Sequence, residues 1–238
     1  MKQDLAAIED LVVEERLELI SKLVHFFKPK TGFHLIANSL APAGAGLGGS
    51  SALAIACIGA LNRLVGNRYD ERKFITIAAN IETTVIRVPA GFQDYYPAQY
   101  GSASCLHFRA DGIQREALEI DGTQLEKRIV ICYTGEPRLS GTNNWDITKR
   151  HIDGDPELFE LFSGIRDSAL RMRAAVLAND WNEVGGNDAR RLSQSETPRS
   201  RRDHAANGEA GSKGFGQRRR RGQSLRRRRR RVHSFSLR

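Results

Sequence analysis

Apolar side chains at Leu5, Ile8, Leu11, Val12, Leu19, Ile20, Leu23, Val24 and Phe27 recur at steps of three and four residues, the period of a helix that buries one face. The pattern predicts one long amphipathic helix over 5–27, ended by Pro29, Thr31 and Gly32. Phe33, Leu35 and Ala37 then fall on one face of a predicted strand over 33–38. A loop rich in glycine and alanine runs from Ser39 to Gly49 and enters Ser50–Val65, an almost wholly apolar helix that must be buried, closed by Gly66 and Asn67. A further helix fits 70–84, with Asp70 as its cap, and Pro89 with Gly91 prevents its continuation. Ala103–Phe108 and Ile113–Ile120, joined through Asp111-Gly112, and then Arg128–Thr134, read as a β-meander. Gly135–Gly154 is polar without an apolar period and reads as a long loop, with Asn143, Asn144, Trp145, Lys149, Arg150 and His151 as its functional groups. Pro156 opens a helix over 158–178, and a short one is expected around Trp181–Val184. The order is that of an α+β fold.

Charge divides the chain more sharply than the pattern does. The net charge of +9 over 238 residues is the sum of −4 for residues 1–190 and +13 for residues 191–238, where runs of four and six arginines stand at Arg218–Arg221 and Arg226–Arg231. A segment so poor in apolar residues builds no core and is expected to be a disordered basic tail. The three cysteines, Cys57, Cys105 and Cys132, have no C-x-x-C spacing, so neither a zinc site nor a disulfide framework is indicated, and a reducing cytoplasm is the expected setting. His25, His34 and His107 stand singly on half-buried elements and are given no metal. The acidic, amphipathic start does not read as a secretion signal, and no apolar run approaches a membrane span, so neither secretion nor membrane spanning is expected.

The candidate chemistry begins at Pro42-Ala43-Gly44-Ala45-Gly46-Leu47-Gly48-Gly49-Ser50-Ser51-Ala52, between a strand and a buried helix. Backbone N–H groups and the helix dipole converge there on a place for an anion, the glycines allow close approach, and Ser50 and Ser51 offer hydroxyls to phosphate or to Mg²⁺. On glycine content alone the segment reads equally well as a flexible turn before a serine-capped helix. It is not a Walker loop, since no lysine follows the last glycine.

That segment resembles the second motif of the GHMP kinases (galactokinase, homoserine kinase, mevalonate kinase and phosphomevalonate kinase), P-x-x-x-G-L-G-[ST]-S-[SA]. Two other stretches are similar to that family. Ile81–Asp94 resembles its glutamate followed about a dozen residues later by glycine and aspartate, and Thr134-Gly135-Glu136-Pro137-Arg138-Leu139-Ser140 resembles its T-G-x-x-R-x-S turn. The likeness covers about residues 30–185 and is nearest to the sugar and heptose-phosphate kinases. It implies an ATP-dependent, Mg²⁺-requiring transfer of the γ-phosphoryl group to a hydroxyl of a sugar or sugar phosphate. The nucleotide would lie on Pro42, Gly44, Gly46, Leu47, Gly48, Gly49, Ser50 and Ser51. Mg²⁺ would be held by Ser50 and Glu82, because Gly49 stands where the family more often has Ser or Thr. Asp94 would be the base or orienting group for the acceptor hydroxyl, with Gln93, Tyr96, Arg138 and Ser140 at the substrate and Tyr95 and Tyr100 beside them.

The resemblance also implies a division into an ATP-binding domain over 1–135 that lacks its first strands, a loop and helices opening a second domain over 136–190, and the tail over 191–238. The tail departs from the family, which carries a motif resembling K-V-C-G-A-G-G-G-G-C near its carboxy end. Codons for Gly222-Gln223-Ser224-Leu225 and Arg226–Val232, read with one nucleotide dropped, can give Ala-Lys-Val-Cys-Gly-Ala followed by glycines, so a frameshifted third motif is expected, and a fragment nearly inactive by itself. Two other functions compete: a nucleic-acid-binding protein acting through its arginines, and a catalytically silent regulator on a kinase scaffold.

Overall fold

The computed structural model describes residues 2–5, 18–42, 44–131, 140–186 and 233–237. By its contacts the chain divides into one unit of Met1–Lys149 with Arg230–Arg238 and a second of Arg150–Arg229.

The first unit is built on four helices, α1 (Glu18–Phe27), α2 (Gly49–Leu64), α3 (Phe74–Ile86) and α4 (Tyr95–Tyr100). Their shared core joins Ile20, Leu23, Val24 and Phe27 to Ala54, Ile58 and Leu61, and these to Phe74, Ala78, Ile81 and Tyr95. The amphipathic pattern therefore holds for 18–27, while Lys2–Leu5 forms strand β1 where the long predicted helix was to begin, and 6–17 lies outside the described residues. Local pattern alone could not separate these, because a strand partner 232 residues away decides the state of 2–5.

The helix after the glycine loop is buried along one side only. Ser51, Ala54, Ile55, Cys57, Ile58 and Leu61 face the core, whereas Ala52, Ala56 and Ala60 are exposed; small alanines carry little penalty for facing water. A cavity of about 300 Å³ opens between α2 and the Glu71 turn, lined by Ile55, Gly59, Asn62 and Phe74. The link to α3 is secured by Asn62, 3% exposed, whose side-chain amide donates to Tyr69 O at 3.0 Å and whose Oδ1 accepts from Tyr69 N–H at 2.9 Å. Asp70 caps as predicted, accepting from Arg72 N–H at 2.8 Å, although the first turn, Glu71–Lys73, is 3₁₀ before α3 begins.

Strand β2 (Phe33–Ala37) places Phe33, Leu35 and Ala37 on the core and alternates as predicted. Its neighbour is β5 (His233–Leu237), antiparallel with Phe33 opposite Leu237, and β5 also pairs in parallel with β1, giving the order β1-β5-β2. The carboxy-terminal residues are thus a strand, a correction to a tail expected to be disordered to its end; the arginine runs lie outside the described residues.

Strands β3 (Ala103–Arg109) and β4 (Gly112–Leu118) form a hairpin in which Arg109 faces Gly112, so the turn is Ala110-Asp111 and Gly112, at φ +139°, opens β4. The third meander strand is absent from the described part of 128–134. Instead α5 (Gly122–Glu126), capped by Asp121, is followed by Ile129–Ile131 outside regular structure and exposed, Val130 at 93%. An apolar run becomes a strand only by pairing, and Ile129–Ile131 joins neither of the described sheets.

The expected loop over 135–154 is corrected as well, because α6 (Ser140–Ile152) is helical despite its polar composition. In the second unit α7 (Pro156–Leu177) starts as the Pro156 signal predicts, with Asp155 Oδ1 accepting from Glu157 N–H at 3.0 Å and Leu158 N–H at 3.3 Å, and a short helix follows over 181–186. Arg150 binds Asp155 at 2.6 Å and Glu157 at 3.2 Å across this start, and the His151 ring lies 5.0 Å from Phe159.

Candidate active site

The glycine loop alternates in hand. Gly44, Gly46 and Gly48 have φ of +74°, +73° and +65°, conformations that strain any residue with a Cβ, and Ala45 N–H bonds back to Pro42 O at 3.2 Å to close the turn. Such alternation turns successive N–H groups toward one side and makes an anion nest. Gly48 is also the N-cap of α2 and supplies no side-chain acceptor. The first helical bond is Ala52 N–H to Gly48 O at 3.0 Å, so the N–H groups of Gly49, Ser50 and Ser51 precede it and carry the positive end of the helix dipole. Ser50 is exposed, Ser51 is buried, and Leu47 projects into solvent.

Two acidic residues meet this loop from different elements. Asp94 precedes α4 and packs on Gly48: a Cβ built on that glycine would lie 3.2 Å from Asp94 Cβ and 3.7 Å from its Oδ2. Glu82 reaches the same place from α3, whose third turn it occupies. Between them stands Tyr95, 0% exposed, which donates its hydroxyl to Glu82 Oε2, while the Ser51 hydroxyl bonds to the phenol oxygen. Desolvation and the Glu82 charge raise the Asp94 carboxyl above its ordinary range. Burial and the Glu82 carboxylate likewise push the Tyr95 phenol far up, so it is a fixed donor at any ordinary pH.

The bend that brings Asp94 here is set by local chemistry. Arg87 ends α3 at φ +58°, Ala90 N–H donates to Thr83 Oγ1 at 3.3 Å, and the absence of a Cβ at Gly91 lets the Gln93 amide lie there, its Oε1 2.6 Å from where a Cβ would stand. Gln93 is therefore folded over the bend and exposed. Tyr96 lies 6.2 Å ring to ring from Tyr100, over which the Arg115 guanidinium sits at 4.6 Å. Pro42 is exposed at the loop's start. Ser140 begins α6, and Arg138 lies outside the described residues.

Gly48, Ser51, Glu82 and Asp94, separated by up to 46 positions, are thus brought together, with Ser50 at the adjoining helix start. Tyr95 is not one of the sugar-lining tyrosines that the sequence suggests: its buried hydroxyl joins the loop serine to Glu82. The picture of His107 as an isolated histidine is corrected, since its Nε2 lies 2.9 Å from Glu116 Oε2 and Cys105 stands on the same face of the hairpin.

Residues 13–102 match the family model of the GHMP kinases N terminal domain. Over 163 residues the chain is 28% identical to D-glycero-alpha-D-manno-heptose 7-phosphate kinase of Campylobacter jejuni, an alignment covering 67% of this chain and 48% of that protein. The chain spans about half the length of the curated relative it matches. The matched region contains the left-handed glycine loop, Glu82, Asp94 and Tyr95, so the similarity to the GHMP kinases N terminal domain falls on the residues that the fold brings together here.

Proposed function

We propose that this chain provides the nucleotide-binding part of a sugar-phosphate kinase, transferring the γ-phosphoryl group of ATP to a hydroxyl of a sugar or sugar phosphate. The observation that carries the reading is the packing of Asp94 on Gly48, which puts a carboxylate beside the loop where the triphosphate would end. Phosphoryl transfer asks the protein mainly to position its reactants and to stabilise charge. The N–H groups of Gly49, Ser50 and Ser51, with the α2 dipole, bind and orient phosphate oxygens. Asp94 accepts a hydrogen bond from the acceptor hydroxyl and takes its proton; its raised affinity for a proton, caused by desolvation and Glu82, suits that task. Tyr95 holds Glu82 in place through its hydroxyl. Gln93, Tyr96, Arg138 and Ser140 are assigned to the acceptor.

The donors near the loop also suit Mg²⁺. Ser50 and Glu82 offer hydroxyl and carboxylate oxygen, the hard ligands that ion takes, and the mutual repulsion of Glu82 and Asp94 is relieved by a cation. When bound, Mg²⁺ would neutralise charge developing on the phosphate oxygens. We place the reaction in the cytoplasm, a reducing compartment in which Cys57 and Cys105 stay out of disulfides. The relative's name supports a phosphorylated sugar as acceptor. The arginine-rich segment, by its charge, binds polyanions without sequence preference and is separate from this chemistry.

The test is single-turnover transfer of labelled γ-phosphate from ATP to heptose 7-phosphate and to free sugars. We expect a labelled ester from the phosphorylated acceptor, formed slowly because the chain spans about half the length of its relative. Asp94→Asn should form it roughly 10²–10⁴-fold more slowly with nucleotide affinity unchanged. Equal rates for the two proteins would remove Asp94 from the chemistry.

A further inference from the structure

The β3–β4 hairpin brings together three side chains that the kinase reading does not use. Cys105 and His107 are two residues apart on β3 and share a face, and the register places Glu116 of β4 opposite Cys105, diagonal to His107. His107 Nε2 and Glu116 Oε2 lie 2.9 Å apart, and one donor atom from each of the three residues falls within 4.8 Å of the others. All three are half-buried, close enough to the surface for an ion to enter and sheltered enough for its ligands to be held.

We propose that Cys105, His107 and Glu116 form a binding site for a single thiophilic divalent cation of the zinc class. Thiolate, imidazole and carboxylate together make the donor set that zinc accepts, whereas Mg²⁺ and Ca²⁺ take oxygen alone. The dimensions agree. With bonds of about 2.0–2.1 Å to nitrogen and oxygen and about 2.3 Å to sulfur, tetrahedral geometry requires donor separations of roughly 3.3 Å and 3.6 Å. The imidazole and carboxylate are within half an ångström of that spacing, and the thiol closes the remainder by a side-chain rotation on a fixed strand. Binding converts the Cys105 thiol to thiolate with release of its proton to solvent, and replaces the His107–Glu116 contact by two bonds to the metal. Three protein ligands leave the fourth position to water or an external ligand. The ion also ties β3 to β4 beside Arg115, whose guanidinium lies over Tyr100 of α4.

The experiment titrates the full chain with Zn²⁺ by calorimetry and with Co²⁺ by absorption, the latter showing a charge-transfer band only where a thiolate is bound. One ion per chain is expected, with the band lost in Cys105→Ser and zinc affinity lowered at least roughly tenfold in Cys105→Ser and in His107→Ala. His34→Gln, on the exposed face of β2, and Cys132→Ser should leave both signals as they were. Should Cys105→Ser fail to fold, alkylation of the unsubstituted protein decides: Zn²⁺ must slow labelling of Cys105, mapped by mass spectrometry, against the metal-free rate. No cobalt–thiolate band, a band that survives Cys105→Ser or vanishes in Cys132→Ser, or alkylation of Cys105 indifferent to zinc would each overturn the proposal.

Discussion

Tyr95→Phe isolates the hydroxyl that joins the glycine-loop helix to Glu82. The ring is fully buried, within the core of α1–α4 and 6.3 Å from Phe92, so phenylalanine keeps the packing and removes one oxygen. What is lost is a hydrogen bond to a carboxylate, worth about 1.5–3 kcal/mol net, together with the bond from Ser51. Glu82 is half-buried and can recruit water in place of the phenol, which moves the expected loss to about 2 kcal/mol. With a urea slope of about 1–3 kcal/mol per molar, the unfolding midpoint should fall by roughly 1 M. Glu82→Gln combined with Tyr95→Phe should cost less than the sum of the two single substitutions, the mark of a direct contact. Magnesium-dependent nucleotide binding should weaken as well, because Glu82 is no longer held. A Tyr95→Phe protein within about 0.5 kcal/mol of the parent, with additive behaviour in the cycle, would refute the bridge.

Asp94→Asn should stabilise the nucleotide-free fold at neutral pH. A carboxyl whose folded pKa is raised binds its proton more tightly in the folded state, so stability declines as pH rises from the unfolded value near 3.8 and stays reduced above the folded value; the amide removes that slope, as denaturation at several pH values would reveal. Gly48→Ala should cost about 1–2 kcal/mol for its positive φ and push Asp94 away, so nucleotide affinity and unfolding midpoint fall together in titration and melting curves. Cys57, its thiol pushed up to about 11 by burial, should resist alkylation at mildly alkaline pH until the chain unfolds, as timed labelling with and without urea would show. Polyanion binding should fall steeply with added salt and disappear on removal of 191–232, read by filter retention of RNA.

The parts of this fold that were legible in sequence are those whose state is decided within one element. The periodicity of Glu18–Phe27, the inward face Phe33, Leu35 and Ala37, the Asp70 cap, the Pro156 helix start and the glycine loop each carry their own determinant, apolar spacing, side-chain acceptor, proline geometry or freedom of φ. The features that escaped depend on partners distant in the chain. Phe235 and Leu237 alternate with Ser234 and Ser236, a strand signal overshadowed by the neighbouring arginines, and only pairing with β2 makes it count. Ile129–Ile131 shows the reverse, a strand-like run that joins neither described sheet. Helix α4 is too short, and carries Pro97 within it, for periodicity to find it, so the burial of Tyr95 was invisible although Asp94 beside it was singled out. The metal-ligating face of the hairpin required a register, which is set once the turn is Ala110-Asp111.

Amide hydrogen exchange, measured with and without magnesium–ATP, tests the nucleotide site most directly because it reads the loop backbone whether or not an acceptor is present. Slowed exchange centred on 44–52 is expected, with a smaller effect over 82–95 where Glu82, Asp94 and Tyr95 meet the loop, and its loss in Gly48→Ala. Exchange in 44–52 unchanged by the nucleotide, or protection centred elsewhere such as the cavity beside Phe74, would contradict it.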